Sequence, residues 1–319
     1  MTGVQTCALP ICLGGPLGAI VGGAAFILPG LVVIVALAAV FLTGSPPDWI
    51  RGAAAGAGAG VAAVAVHAGI GLIPASRGRA ASGARWITYA AAGGVSAALV
   101  GPWVVAVLLV CGAAEIVLRV RGKTSLASIT PIAALAVPAT GGFGALAWVA
   151  AKVGALSYGG GFVIIPLMQH DAVSSYHWLT NTQFLNAVAL GQITPGPITL
   201  TVAVVGYGAA GVGGALLATA VAFAPSFAFV LGGARHFQGL RSNPWARSFF
   251  DGAGPATVGA ILGAAIPLAL ALTEWWQAVL LASAGALLLS RRLGVVPTLV
   301  GLGVAGVILA LAGASLPHS

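Results

Sequence analysis

The chain has 319 residues, of which 13 are Lys or Arg and 5 are Asp or Glu, so 6% of its side chains carry a charge, against about 25% in a soluble domain. With 59% apolar residues, 48 glycines and a mean hydropathy of +1.07, it holds more apolar surface than one aqueous core can bury. That excludes a soluble globular protein and makes the lipid bilayer a partner. The net charge of +8 sits in short cationic clusters between apolar runs, without the interleaved exposed aromatics of a nucleic-acid groove, so the clusters read as topology signals and nucleic acid is not an expected partner. Cys7, Cys12 and Cys111 show neither a metal-ligand spacing nor a disulfide framework.

In chain order, residues 1–12 lack the basic start and apolar stretch of a signal peptide and fit nothing that follows; they are expected to be a foreign leader. Charge-poor runs of membrane-spanning length lie at 17–42, 52–75, 252–273 and 293–316. Residues 86–114 are too long for one comfortable helix and are interrupted by Gly101-Pro102, which predicts two short spans with a turn. Residues 119–138, with Arg121, Lys123 and two prolines, predict a linker between two halves. Residues 172–234 predict at least two passes, broken at Pro195, Pro197 and the glycines of 206–214. A short span is expected at 275–290, giving about ten membrane elements in all.

The chain repeats itself without gaps at an offset of 196: Gly18 with Gly214, Ala19 with Ala215, Pro29 with Pro225, Trp49 with Trp245, Arg51 with Arg247, Gly56 with Gly252 and Gly58 with Gly254. Trp, Arg and Pro are infrequent here, so their shared offset predicts a duplication. In the first half, loop 46–51 carries Asp48 and Arg51 while 76–85 carries three arginines. In the second half the order swaps, with Arg235, Arg241 and Arg247 in the first loop and Glu274 in the next. By the positive-inside rule, equivalent loops then face opposite sides, the signature of an inverted repeat. If Lys123 and Arg235 share a side, one apolar element between them must be re-entrant, and 143–170 is the expected one, broken at Ser157-Tyr158-Gly159-Gly160-Gly161. The first-half partners of the 159–161 and 194–197 motifs would fall before residue 1, which predicts a first repeat cut short.

Two motifs break helices inside apolar surroundings: "KVGALSYGGGFVIIP" at 152–166 and "ALGQITPGPITLTVAVVGY" at 189–207. Pro195 and Pro197 suit a helix that stops, turns at Gly196 and restarts near Pro197. A restarted helix presents free N–H groups and a positive dipole end, a cradle for an anion. Against these stand structural readings: glycines pack membrane helices, Lys152 snorkels at a helix end, Arg247 and Asp251 form a helix-end pair, Glu115 pairs with Arg119, and His67 is a hydrogen-bonded structural histidine.

Phe143-Gly144, the run 159–166, Gln183-Phe184-Leu185 through Pro197, Gly206-Tyr207, 211–215 and 223–227 stand in an order that resembles the chromate ion transporter family. The resemblance is specific over 143–267 and looser over 14–75, where the family's first Phe-Gly-Gly-Pro and Leu-Pro-Gly-Pro motifs are missing. It implies a secondary transporter exporting chromate, with sulfate as the isosteric oxyanion, in the cell (inner) membrane as a multi-pass protein. A tetrahedral dianion needs converging donors and about one cation. Ser157, Gly159, Gly160, Gly161, Gln192, Thr194, Gly196, Thr199 and Thr201, framed by Pro195 and Pro197, are the expected substrate-binding residues, with Lys152 as the cation.

The resulting expectation is an all-α polytopic membrane protein, an inverted-repeat transporter with broken or re-entrant helices. Residues 13–123 would be the remainder of the first repeat, 124–142 the linker and 143–319 the complete second repeat. The alternatives are a carrier of another small anion on the same scaffold, or an inactive truncated fragment. No nucleophile with its base, metal-ligand cluster or nucleotide loop appears, so neither an enzyme nor a cofactor or metal is expected; a homodimer and proton coupling stay open.

Overall fold

The computed structural model describes residues 3–42, 46–80, 82–99, 104–120, 142–157, 164–233, 243–290 and 292–317. The described residues are helical, with no strand among them. In order they form α1 (Gly3–Leu42), α2 (Asp48–Ala59), α3 (Val61–Arg77), α4 (Gly83–Leu99), α5 (Val104–Val120), α6 (Phe143–Leu156), α7 (Ile164–Gln169), α8 (Asn181–Ile193), α9 (Thr201–Gly233), α10 (Pro244–Leu270), α11 (Trp275–Leu289) and α12 (Val295–Leu311). A π-helical turn at His170–Ser175 and a 3-10 turn at Ile198–Leu200 interrupt the series. Even the β-branched run "ITLTVAVV" is helical, because in lipid the backbone has no bonding partner but itself.

Four segments are long and apolar enough to cross a bilayer: Gly15–Leu42, Asp48–Arg77, Ile198–Gly232 and Pro244–Leu270; α6, α11 and α12 are shorter apolar helices. Gly60, between α2 and α3, keeps right-handed angles (φ −77, ψ −13), so Asp48–Arg77 reads as one rod. The expected pair of short helices around Gly101-Pro102 is present as α4 and α5; the turn itself, the linker core at 121–141 and Gly159, Gly160 and Gly161 lie outside the described residues. Residues 3–12, within the expected leader, form the first part of α1, which kinks at Gly15 (φ 60, ψ −152). Helix α9 has the same kink at Gly211 (φ 60, ψ −151), and the two glycines stand 196 residues apart, the offset of the sequence repeat.

The packing follows that offset too. Helix α2 lies on α12, and α3 on α11, while α10 lies on α4 and α5. Gly56 of α2 faces Leu302 and Gly306; Gly252 of α10, its offset partner, faces Cys111 and Glu115. Each half therefore lends its last helices to the other half's glycine-rich helix. The glycines are required by proximity: a Cβ on Gly259 would collide with the Ala90 carbonyl, and one on Gly93 with that of Ala256.

Among the described residues, Glu115, Arg119 and Asp251 gather where α4, α5 and α10 meet. Glu115, 1% exposed, accepts from Arg119 Nε at 2.7 Å and from the Tyr89 hydroxyl at 3.1 Å, the local pair expected from their spacing. Asp251, expected to pair with Arg247, instead accepts from Arg119 at 2.8 Å, because α5 packs across α10 and brings a nearer cation. Trp86 Nε1 donates to Ser76 Oγ at 3.0 Å, tying α4 to α3.

Gly259→Leu should cost about 1–3 kcal/mol through overpacking and lower the unfolding temperature of the detergent-solubilised chain, whereas Gly301→Leu, with open space around its Cβ position, should leave it unchanged. Glu115→Ala should cost about 3 kcal/mol, since it strips a buried partner from Arg119 and Tyr89; the same unfolding measurement reads it.

Candidate functional site

Helix α6 ends at Leu156, and Ser157 (φ −69, ψ 61) turns the chain away. Its hydroxyl lies 3.1 Å from that of Thr199, which stands in the 3-10 turn before α9. The end of α6 is thus fastened to the restart of the second motif. Along α6, Trp148 and Lys152 are one turn apart on one face, with the ammonium 5.8 Å from the indole centroid.

Helix α8 is launched by a capping box, in which the Thr180 hydroxyl accepts from Gln183 N–H and the Gln183 side chain accepts from Thr180 N–H. It stops at Ile193, and Thr194 is extended (φ −70, ψ 132). Gly196 adopts φ 141, a left-handed conformation that a side chain would strain. Pro197 is extended again (φ −73, ψ 139) and leads into Ile198–Leu200, so the helix restarts one residue after Pro197 through a single 3-10 turn. Thr201 Oγ1 donates to the Ile198 carbonyl at 2.8 Å and packs on Gly191. The opposite wall comes from the first half of the chain: Gly30 of α1 presses against the Pro195 carbonyl, where a Cβ would not fit, and Gly196 lies beside it.

Several buried polar atoms are left over. Gln192 Nε2, Thr194 Oγ1 and Trp148 Nε1 have no hydrogen-bond partner among the described residues. Thr194 is 6% exposed. Other buried threonines behave differently: Thr219 and Thr257 each return the hydroxyl to the carbonyl four residues earlier at 2.8 Å, the usual way a hydroxyl settles inside an apolar helix. Thr194, the residue that caps α8, reaches the Leu190 carbonyl four residues earlier with its backbone N–H at 2.9 Å, and its hydroxyl is left over.

Lys152 is not free to snorkel. Its Nζ is 2.5 Å from Asp171 Oδ2, with the side chains 15% and 7% exposed. Sequence reasoning missed Asp171, Trp148 and Gly30; the only signal for Asp171 was its rarity, as one of five acids in the chain. Of the expected site residues, the structure joins Ser157 to Thr199 and sets Gln192, Thr194, Pro195, Gly196, Pro197 and Thr201 along one break; Gly159, Gly160 and Gly161 lie outside the described residues. Among the described residues no group of three His, Cys, Asp or Glu side chains is placed to hold a metal ion.

The Ser157 and Thr199 hydroxyl oxygens lie 3.1 Å apart, so side chains at these two positions meet tip to tip. Ser157→Cys with Thr199→Cys, in a background free of the native cysteines, should therefore crosslink under mild oxidation, read as a mobility shift that a reductant reverses.

Residues 144–318 match the family described as Chromate transporter. The chain is 38% identical over 157 residues to a chromate transport protein of Cupriavidus metallidurans, covering 47% of this chain and 38% of that one. It is 28% identical over 267 residues to a probable chromate transport protein of Synechococcus elongatus, covering 80% of this chain and 67% of that one. A chromate transport protein of Pseudomonas aeruginosa is 36% identical over 118 residues, 37% of this chain and 28% of that protein. The chain thus spans 38% of the length of the first of these relatives. No solved structure matches it. The family match extends over more than half of the chain and contains both helix-breaking motifs: this protein belongs to the chromate transporter family, a family of transporters rather than of enzymes.

Proposed function

We propose that the chain is a secondary transporter that exports chromate or a sulfate-like divalent oxyanion, binding it at the break formed by the end of α6, residues 192–197 and the start of α9. The observation that carries the reading is the set of unpartnered buried groups beside that break, Thr194 Oγ1 and Gln192 Nε2. Buried donors without partners are costly, and a binding site is where such a cost is recovered. An oxyanion accepts hydrogen bonds at every oxygen, so hydroxyl, amide and backbone N–H groups are its natural partners, and Lys152 supplies a cation nearby. The names of the Cupriavidus and Pseudomonas relatives support chromate among the oxyanions.

The same reading holds the chain to be an inverted repeat, with 13–123 as the remainder of the first unit, 124–142 as the linker and 143–319 as the second unit. Three observations support it: the kinks at Gly15 and Gly211, the equivalent packing of Gly56 and Gly252, and the reversed order of arginine-rich loops. It places the protein in the inner membrane of the cell as a multi-pass carrier. Because the two halves interleave, alternating access in this reading comes from α1 and α6–α9 moving against the exchanged helices.

Everted vesicles containing the chain should take up chromate above empty vesicles, and sulfate should compete. Thr194→Val should reduce uptake about tenfold to a hundredfold, the loss of one or two hydrogen bonds to a charged group, and Pro195→Ala should reduce it as well, with both variants inserted normally. Absence of uptake by the unchanged chain, or uptake indifferent to both variants, overturns the reading; uptake of another anion with which chromate does not compete points to a different substrate on the same scaffold.

A further inference from the structure

The chain has five acidic side chains, and the fold commits every one of them. Asp48 takes Arg51, Glu115 and Asp251 take Arg119, Asp171 takes Lys152, and Glu274 accepts from the Ser315 hydroxyl. Arg292, exposed at the turn between α11 and α12, has no carboxylate partner among the described residues. Glu274 precedes α11 and stands at its far end from Arg292. Any counter-charge for Arg292 must come from outside these side chains.

An arginine in open water needs no such partner; the depth of Arg292 decides. Helix α11 starts at Trp275 and Trp276, an aromatic pair of the kind that marks a membrane interface, and Trp276 Nε1 donates to the Ser315 carbonyl at 3.0 Å. The Gln277 amide donates to the Ala55 carbonyl at 3.2 Å, and the helix then runs along α3 toward the end that carries Arg77. Its 15 residues span about 22 Å, short of a hydrocarbon core of about 30 Å. The rod Asp48–Arg77 beside it has 30 residues and is about 45 Å long. Arg292 is therefore held below the level of Arg77, at the rim of the hydrocarbon on the arginine-rich side. A charge there is costly, and a short span draws lipid headgroups inward.

Next to that cation, α3, α10 and α11 border an open groove of about 510 Å³ lined by apolar residues. Ala62, Ala63 and Val66 form one wall, and Leu281, Gly285 and Leu289, spaced four apart on one face of α11, form another. Gly285 has open space where a Cβ would stand, so the groove is bare helix at that point. Leu289 is the last residue of α11, and Arg292 N–H donates back to the Leu287 carbonyl at 3.3 Å, which puts the arginine at the mouth of the groove. An unfilled apolar slot forfeits dispersion contacts along its walls, and a cation at its mouth selects by charge what enters.

We propose that this groove seats one acyl chain of an anionic phospholipid from the arginine-side leaflet, with the lipid phosphate held by Arg292. The guanidinium fork matches two phosphate oxygens. A lipid of net negative charge neutralises it, whereas the ammonium of phosphatidylcholine cancels that lipid's own phosphate. The groove shares no residue with the break at 192–197, so the inference does not depend on which ion is carried.

The test puts a bimane fluorophore on Ala286→Cys, an exposed position beside Gly285, in the full chain freed of its native cysteines. In phosphatidylcholine nanodiscs, brominated phosphatidylglycerol or brominated phosphatidylcholine is then titrated in as a quencher. Half-maximal quenching should come at about a fivefold lower mole fraction of phosphatidylglycerol, the preference that one arginine at a membrane surface gives. The same probe on Val304→Cys, on the exposed face of α12, should show no preference. Arg292→Gln and Gly285→Phe should each remove the preference at position 286, the first by taking the phosphate contact and the second by filling the groove. Native mass spectrometry of the unchanged chain should show one phosphatidylglycerol retained against phosphatidylcholine, a readout that needs no variant to fold. Equal half-points for the two lipids at 286 overturn the proposal. A preference that survives Arg292→Gln overturns the headgroup contact, and one that survives Gly285→Phe overturns the seat in the groove. Quenching by neither lipid at 286, with normal quenching at 304, means that a second copy of the chain covers the groove and overturns the lipid as occupant. Inorganic phosphate should leave the preference intact; its loss assigns Arg292 to a free anion instead.

Discussion

A bilayer offers the peptide backbone no hydrogen-bond partner, so every helix must be complete, and wherever one stops inside the membrane the protein itself must cover the exposed groups. The break at 194–197 is covered in this way. Gly30 lets α1 lie directly against the Pro195 carbonyl, and the tie between Ser157 and Thr199 closes the side facing α6. Water-driven burial contributes little between helices in lipid; close approach and van der Waals contact replace it. That explains why glycine faces carbonyl oxygen at one helix crossing after another, Gly154 against Ala222 as well as Gly259 against Ala90.

Two kinds of polar arrangement share this frame. At the junction of α4, α5 and α10, Glu115, Tyr89, Arg119 and Asp251 satisfy one another, and the result is a fastening. Around the break, Gln192 and Thr194 are buried without partners among the described residues, and the lone cation of the region is tied to the lone carboxylate. A fastening has its donors and acceptors matched. Around the break, by contrast, Gln192 and Thr194 leave polar groups unmatched, the state on which the proposed site rests.

Much of this was legible in the sequence because lipid and glycine leave plain marks. The apolar runs, the stop at Ile193, the turn at Gly196 and the paired short helices α4 and α5 all follow from residue types whose backbone consequences are local. Helix α10 extends the charge-poor run that begins at 252 back to Pro244, because Asn243 caps the helix and Pro244 opens it. Pairing across helices was also hidden. Spacing identifies neighbours along one helix, so Glu115 with Arg119 was visible, whereas Asp251 with Arg119 depends on the crossing of α5 over α10. Lys152 with Asp171 depends on a chain reversal whose geometry no local pattern records.

The exchange of helices between the halves also sets an order of events during synthesis. The small-residue face of α2 is completed by α12 and that of α3 chiefly by α10, where Gly69 faces Ile261 and Leu262, elements made well over a hundred and fifty residues later. Until then these faces can be covered only by lipid chains, which fill a glycine groove poorly. The first half consequently waits in the bilayer as an unfinished surface, its contacts long in sequence separation and slow to form. Cooperativity of folding then belongs to the whole chain, because neither half encloses its own packing face.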